Sequence, residues 1–213
     1  GFVQMYGMTE TAGAIVALPP EDHETESGAR LASVGQPLPG VELRILDPAG
    51  QPLPPGEIGE IATRSLANMT GYYNLPQATA ATIDGEGWLH TGDAGYLDAD
   101  GYLFLKDRIK DLIISGGENV YPAEVEIAIC DHPDVAEVAV IGVPDAKWGE
   151  SVKAIVVAKP GTNPEAASII AWARARIAAY KTPRYVEFVA ALPRNASGKI
   201  LRRELREHHS KLE

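Results

Sequence analysis

Lys106-Asp107-Arg108-Ile109-Lys110-Asp111-Leu112-Ile113-Ile114-Ser115-Gly116-Gly117-Glu118-Asn119-Val120-Tyr121-Pro122 is where the texture of this 213-residue chain changes. Before it, residues 33–106 are rich in Gly and Pro, with short apolar alternations. Val41-Glu42-Leu43-Arg44-Ile45 alternates apolar and polar residues and predicts a strand. Asp47-Pro48-Ala49-Gly50 predicts a turn and Glu60-Ile61-Ala62-Thr63 another strand. Short strands at this spacing predict a small barrel or sandwich. Residues 1–9 read as a strand and turn, followed by small residues.

Beyond the junction, strands alternate with helices. Leu112-Ile113-Ile114 predicts a short buried strand. Pro122 predicts a helix start, where its missing N–H costs nothing, and Glu124 and Glu126 suit the positive end of the helix dipole. Residues 138–143 and 152–158 predict strands. Asn163-Pro164 predicts an N-cap and a first helical proline, opening a helix with Ile170, Ala173 and Ile177 on one face and Arg174 on another. Residues 185–189 predict a strand and residues 201–209 a closing helix. The expected class is α+β, with one domain over residues 1–107 and a second over 111–213. At roughly 100–200 residues per domain, the length allows one or two.

Composition narrows the classes. The hydrophobic fraction of 45% and charged fraction of 23% are those of an ordinary globular protein. No apolar run nears the roughly 20 residues of a membrane-spanning helix, so no transmembrane segment is expected. The single cysteine, Cys130, has no internal partner, and a reducing cytoplasm is the expected location. The net charge of -10 is uneven: residues 1–107 hold 4 basic and 15 acidic residues, and residues 174–211 hold 10 basic and 3 acidic. A locally basic region on an acidic chain suits a small polyanion, and equally a solvated helix face. Nucleic acid is not an expected partner, because the domain as a whole is not basic. The chain opens Gly1-Phe2-Val3-Gln4 directly onto a dense motif, so a longer parent protein is expected. Leu212-Glu213 is set aside as a foreign tail.

Four strings carry chemistry. In Tyr6-Gly7-Met8-Thr9-Glu10, glycine beside an aromatic lets backbone approach a flat ring. A hydroxyl and a carboxylate then follow that suit a phosphate and its Mg²⁺, a cation that takes one or two carboxylates plus phosphate oxygens. The same string also reads as a strand end capped by Thr9. In Gly87-Trp88-Leu89-His90-Thr91-Gly92-Asp93, the carboxylate can accept both hydroxyls of a ribose diol, although alone Asp93 reads more readily as a turn residue. The run at 106–111 also fits a solvated linker. Gly116-Gly117 permits positive φ or close approach of a ligand to backbone, and no GxxxxGK[ST] phosphate loop exists in the chain. Pro193-Arg194-Asn195-Ala196-Ser197-Gly198-Lys199-Ile200 reads as a flexible turn ending in one lysine.

In this order, the four strings resemble the adenylate-forming superfamily of acyl-CoA synthetases, luciferases and peptide-synthetase adenylation domains, over nearly the whole chain. The resemblance implies the end of a large adenylate-binding domain, with a β-barrel-like subdomain, followed by a small mobile α+β domain. It implies that Tyr6 and Gly7 line the adenine, Thr9 binds phosphate and Glu10 holds Mg²⁺. Asp93 would hold the ribose, assisted by Arg108. Lys110 matches the hinge, Lys199 the mobile catalytic lysine, and Gly116 and Gly117 the loop beside the pantetheine channel. ATP or AMP, Mg²⁺ and coenzyme A are the implied cofactors, and a fatty or aryl acid the implied substrate in fatty-acid or lipid metabolism. The family's Ser/Thr/Gly-rich phosphate loop and most of its acyl pocket are expected upstream of Gly1. The 213 residues alone are therefore expected not to catalyse adenylation. Thr11-Ala12-Gly13 leaves room for fatty or aryl acids. Ser115-Gly116-Gly117-Glu118-Asn119 favours free CoA over the rival of a domain that loads a carrier protein, and over a luciferase-like oxygenase. A 4-coumarate-like aryl ligase is a further alternative, and a non-catalytic binding module a weaker one.

Overall fold

A computed structural model describes residues 1–23 and 28–210, so Leu212-Glu213 lies outside the described residues. The chain forms two units, Gly1–Ile109 and Lys110–Glu213. The class is mixed α+β.

In the first unit, β1 (Gln4–Met8) pairs antiparallel with β2 (Gly13–Leu18), and β2 with β3 (Gln36–Pro37). The small-residue stretch after Thr9 is thus a strand. A short helix α1 (Pro20–His23) follows β2. A second sheet runs β4 (Glu42–Leu46), β5 (Gly59–Arg64), β6 (Leu89–Leu97), β7 (Leu103–Arg108), all antiparallel, with helix α2 (Pro76–Thr82) between β5 and β6. Among the described residues the sheets stay open and no barrel closes. What they share is one core of Ile15, Val16, Val34, Ile45, Ile61 and Leu103. The sheets also meet in backbone: Leu103 N–H donates to Gly35 O at 2.8 Å, and Val34 N–H to Leu103 O at 2.9 Å.

In the second unit, β8 (Ile113–Ser115) and β9 (Glu118–Val120) form a hairpin. Ile113 is buried but Ile114 points out, 53% exposed. Pro122 stands at the start of α3 (Pro122–Cys130). The long hairpin β10 (Val135–Asp145) and β11 (Gly149–Ala158) extends past both predicted apolar runs. Helix α4 (Ala166–Arg174) crosses to β12 (Tyr185–Phe188), parallel to β11, and α5 (Arg202–His209) closes the chain. Val138, Val140, Val152, Ala154 and Val156 face α3 and α4. Ala139, Ile141, Val143 and Ile155 pack on the other side with Leu192 and Leu205. A sheet covered on both faces explains why its strands read as continuous apolar runs.

Two expectations need correction. The N-cap of α4 is Glu165, not Asn163, and no side chain caps it. The shifted start turns Ile169 and Ala173 to the core, both fully buried, in place of Ile170. Ile177 lies past the helix end yet still packs on that core. Asp111 is not part of a solvated linker, because it is buried and paired with Arg206.

Candidate functional site

The first unit assembles its candidate residues around Asp93. Asp93 sits inside β6, not in a turn, opposite Arg108 on β7. Its Oδ2 accepts a 2.7 Å hydrogen bond from the Tyr6 hydroxyl, and Arg108 Nε lies 3.5 Å from Oδ1. Burial and the adjoining Asp93 carboxylate push the Tyr6 phenol well above its ordinary range, so it stays a donor. A carboxylate offers about four acceptor directions, so two hydroxyls can still be accepted.

The strand before Asp93 is held by groups the sequence did not single out. Glu60 Oε1 accepts the Gly92 N–H at 3.1 Å, and Oε2 lies 2.8 Å from His90 Nδ1. Thr91 Oγ1 donates to Ile61 O at 2.7 Å and accepts the Asp93 N–H at 3.1 Å.

Gly7 serves a close approach. A Cβ there would sit 1.9 Å from Gly13 O, where β1 and β2 shift register. Thr9 and Glu10 open a 3-10 turn, with Thr9 exposed. Thr11 is 1% exposed, and its hydroxyl accepts the Met8 N–H and lies 2.8 Å from Gly13 O, whereas Ala12 and Gly13 are exposed. Glu10 is engaged by Tyr72, whose hydroxyl donates to Oε1 at 2.8 Å. That hydrogen bond to Glu10, with burial, raises the Tyr72 phenol. Among the described residues no three acidic, His or Cys side chains gather as a metal site. A lone oxygen-donor carboxylate still fits magnesium, which draws most of its ligands from phosphate and water.

In the second unit, Gly116 and Gly117 are the two central residues of the β8–β9 hairpin, with φ of 63° and 87°. Positive φ at both is the type I′ turn that glycine pairs favour. Gly116 N–H donates to Trp148 O at 2.8 Å, and a Cβ on Gly116 would lie 2.7 Å from the indole Cε3. Around that indole stand Lys147 and Arg184, 4.6 and 4.5 Å from the ring centroid. Neither Trp148 nor Arg184 lies near Gly116 in sequence, so no local pattern could find them.

Lys199 ends a turn braced by hydrogen bonds. Asn195 Oδ1 accepts from Ser197 N–H, the Ser197 hydroxyl and Lys199 N–H at 3.0, 2.8 and 2.9 Å. Arg194 donates to Gly198 O and pairs with Glu137. The Lys199 side chain is exposed. Lys110 is likewise exposed, in the 3-10 turn Ile109–Asp111 at the junction of the units.

A carboxylate held between a phenol and a guanidinium thus lies in the first unit, and a lysine on a hydrogen-bonded turn lies in the second. Comparison with known proteins gives the class. The AMP-binding enzyme model matches residues 1–73, and the AMP-binding enzyme C-terminal domain model matches residues 124–199. Each unit of the chain thus contains a match to a domain model of AMP-binding enzymes. It is 49% identical over 206 residues to a fatty acid–[acyl-carrier-protein] ligase of Streptomyces coeruleorubidus, covering 97% of this chain and 39% of that protein. It is 51% identical over 203 residues to a 2-succinylbenzoate–CoA ligase of Geobacillus kaustophilus, covering 95% and 40%. Among solved structures, the O-succinylbenzoate coenzyme A synthetase of Bacillus subtilis in complex with ATP and magnesium ion matches with a TM-score of 0.85 and 43% identity, over 96% of this chain and 41% of that one. The chain thus spans about 40% of the length of these relatives. No helix among the described residues is long and apolar enough to cross a membrane.

Proposed function

We propose that the natural gene product containing this chain is an AMP-forming acid–thiol ligase. Its carboxylate substrate attacks the α-phosphate of ATP, giving acyl-AMP and releasing pyrophosphate. A thiolate then attacks the acyl carbon, giving a thioester and AMP. The observation that carries this reading is Asp93, presented mid-strand between Tyr6 and Arg108 in a unit that contains a match to the AMP-binding enzyme model. In it, Asp93 and Arg108 hold the ribose, Tyr6 and Gly7 border the adenine, and Thr9 meets the phosphates. Glu10 would hold magnesium, which when bound offsets phosphate charge. Lys199 lies between carboxylate and α-phosphate and offsets the negative charge they bring together. The second unit then turns about Lys110, withdrawing Lys199 and bringing the Gly116-Gly117 hairpin to the thiol.

The acceptor is coenzyme A in the first reading. An indole flanked by Lys147 and Arg184 beside the hairpin suits a ligand that carries both an aromatic base and phosphates. The similarity to a fatty acid–[acyl-carrier-protein] ligase favours a second reading, in which the same pantetheine thiol arrives on a carrier protein. The acid is fatty or aryl, and a cytoplasmic enzyme of fatty-acid or lipid metabolism is the setting that fits. Carboxylate-dependent ATP–pyrophosphate exchange, run over a panel of fatty and aryl acids, tests the first half. Thioester formation with CoA against a phosphopantetheinylated carrier tests the second. Absence of exchange with every acid overturns the reading.

A further inference from the structure

We infer that Tyr72 is a positioning residue for Glu10, fixing the carboxylate at which the magnesium of ATP is proposed to bind; the inference rests on that reading of Glu10. The 3-10 turn carrying Glu10 is only three residues long, and a glutamate side chain on so short a support has several rotamers open to it. Two contacts from residues 69–72 hold it, one to the backbone and one to the carboxylate. Met69 N–H donates to Glu10 O at 2.7 Å, and the Tyr72 hydroxyl donates to Glu10 Oε1 at 2.8 Å. Backbone and carboxylate are therefore pinned by the same short stretch.

That stretch is itself anchored. Tyr72 N–H donates to Thr79 Oγ1 at 2.9 Å, and Thr79 Oγ1 donates to Leu75 O at 3.0 Å, so the first turns of α2 hold the tyrosine backbone. Leu75 N–H returns to Tyr72 O at 3.1 Å. Gly71 makes the approach possible: its φ is 150°, and a Cβ there would lie 2.7 Å from Thr79 Cγ2. The line of support runs from α2 through Thr79 and Tyr72 to Glu10.

The chemistry suits a cation ligand. Outer partners that hydrogen-bond a ligating carboxylate set its orientation and its affinity for the metal. A phenol does this without adding positive charge, whereas a lysine or arginine in its place would cancel the charge that attracts the cation. With Oε1 accepting from Tyr72, Oε2 would be the less engaged oxygen for a cation, and magnesium makes only a small demand on protein ligands.

The test uses the natural full-length gene product, with Mn²⁺ as a paramagnetic stand-in for Mg²⁺. The Mn²⁺ concentration that half-saturates the ATP complex is read by electron paramagnetic resonance, and AMP affinity is measured without metal. Tyr72→Phe should raise the half-saturating Mn²⁺ concentration about tenfold and leave AMP affinity unchanged. Glu10→Gln should raise it further. A rise in Glu10→Gln with none in Tyr72→Phe overturns the role of Tyr72 and leaves that of Glu10 standing. No rise in either variant removes the reading of Glu10, and the inference with it. A parallel loss of AMP affinity in Tyr72→Phe would mean that the tyrosine acts through the fold, which also overturns the inference.

Discussion

Lys199→Ala separates chemistry from folding more cleanly than any other change in this chain. The turn that bears Lys199 is held by its own backbone and by Asn195 Oδ1, which keeps its three donors in the variant because the Lys199 bond is made by the main chain. The side chain is exposed and fills no core. Stability should therefore move by no more than about 0.5 kcal/mol, the usual range for a surface change. The rate should not be spared. An ammonium between an attacking carboxylate and the α-phosphate matters most in the transition state, so its loss lowers kcat more than binding. Removing one such stabiliser costs about 10²–10³ in kcat, equivalent to about 2.7–4 kcal/mol. Single-turnover assays on the natural gene product would measure acyl-AMP formation and, separately, conversion of supplied acyl-AMP and thiol to thioester. The first should fall and the second should hold. Adenylation that survives, or a fall of both halves with the fold intact, refutes the assignment.

Asp93→Ala should weaken ATP binding at least about tenfold by calorimetry, since hydrogen bonds to a charged group contribute about 1.5–3 kcal/mol; an unchanged dissociation constant refutes the ribose role. Gly117→Leu should slow thioester formation and spare adenylation. A Cβ at Gly117 meets open space, so the fold bears only the cost of positive φ, about 1–2 kcal/mol for a non-glycine residue. Gly116→Ala should destabilise the second unit more in urea denaturation, because it also strikes the Trp148 ring. Burial works to raise the Glu187 carboxyl, but hydrogen bonds from Lys153 and His209 outweigh it and hold the group below its usual range. Its contribution to stability is thus present above the unfolded carboxylate value of about 4.3 and is lost as pH falls through the lower folded value. Glu187→Gln should flatten the acid-side fall in denaturation midpoint, and an unchanged slope refutes that coupling.

Local chemistry was legible in the sequence, and assembly was not. Pro122 announced α3 because proline at a helix start is a one-residue signal. The apolar runs of β10 and β11 announced a buried sheet, but their starts, where Ala136 and Gly149 are exposed and Glu137 and Glu150 half-buried, did not stand out. Gly-Asp suggested a turn at Asp93, and pairing with β5 and β7 overrode that local preference. Asn163-Pro164 looked like a cap, yet tertiary packing of Ile169 set the phase of α4. Tyr72 and Trp148 carry no motif of their own. Only the fold shows what lies beside them.

Glu126, near the start of α3, does more than suit the helix dipole. β10 forms one margin of its sheet, and its outward N–H at Val140 is not left to water or to another chain. Glu126 Oε1 accepts it at 2.8 Å, and Arg202 holds the same carboxylate at 2.7 Å. Further along the strand, Arg194 pairs with Glu137. An open strand margin is a template for foreign strands, and natural proteins blunt it with charge. Here a carboxylate from α3 acts as a counterfeit neighbour. It takes a hydrogen bond that a stray strand would need, which blunts the margin at Val140.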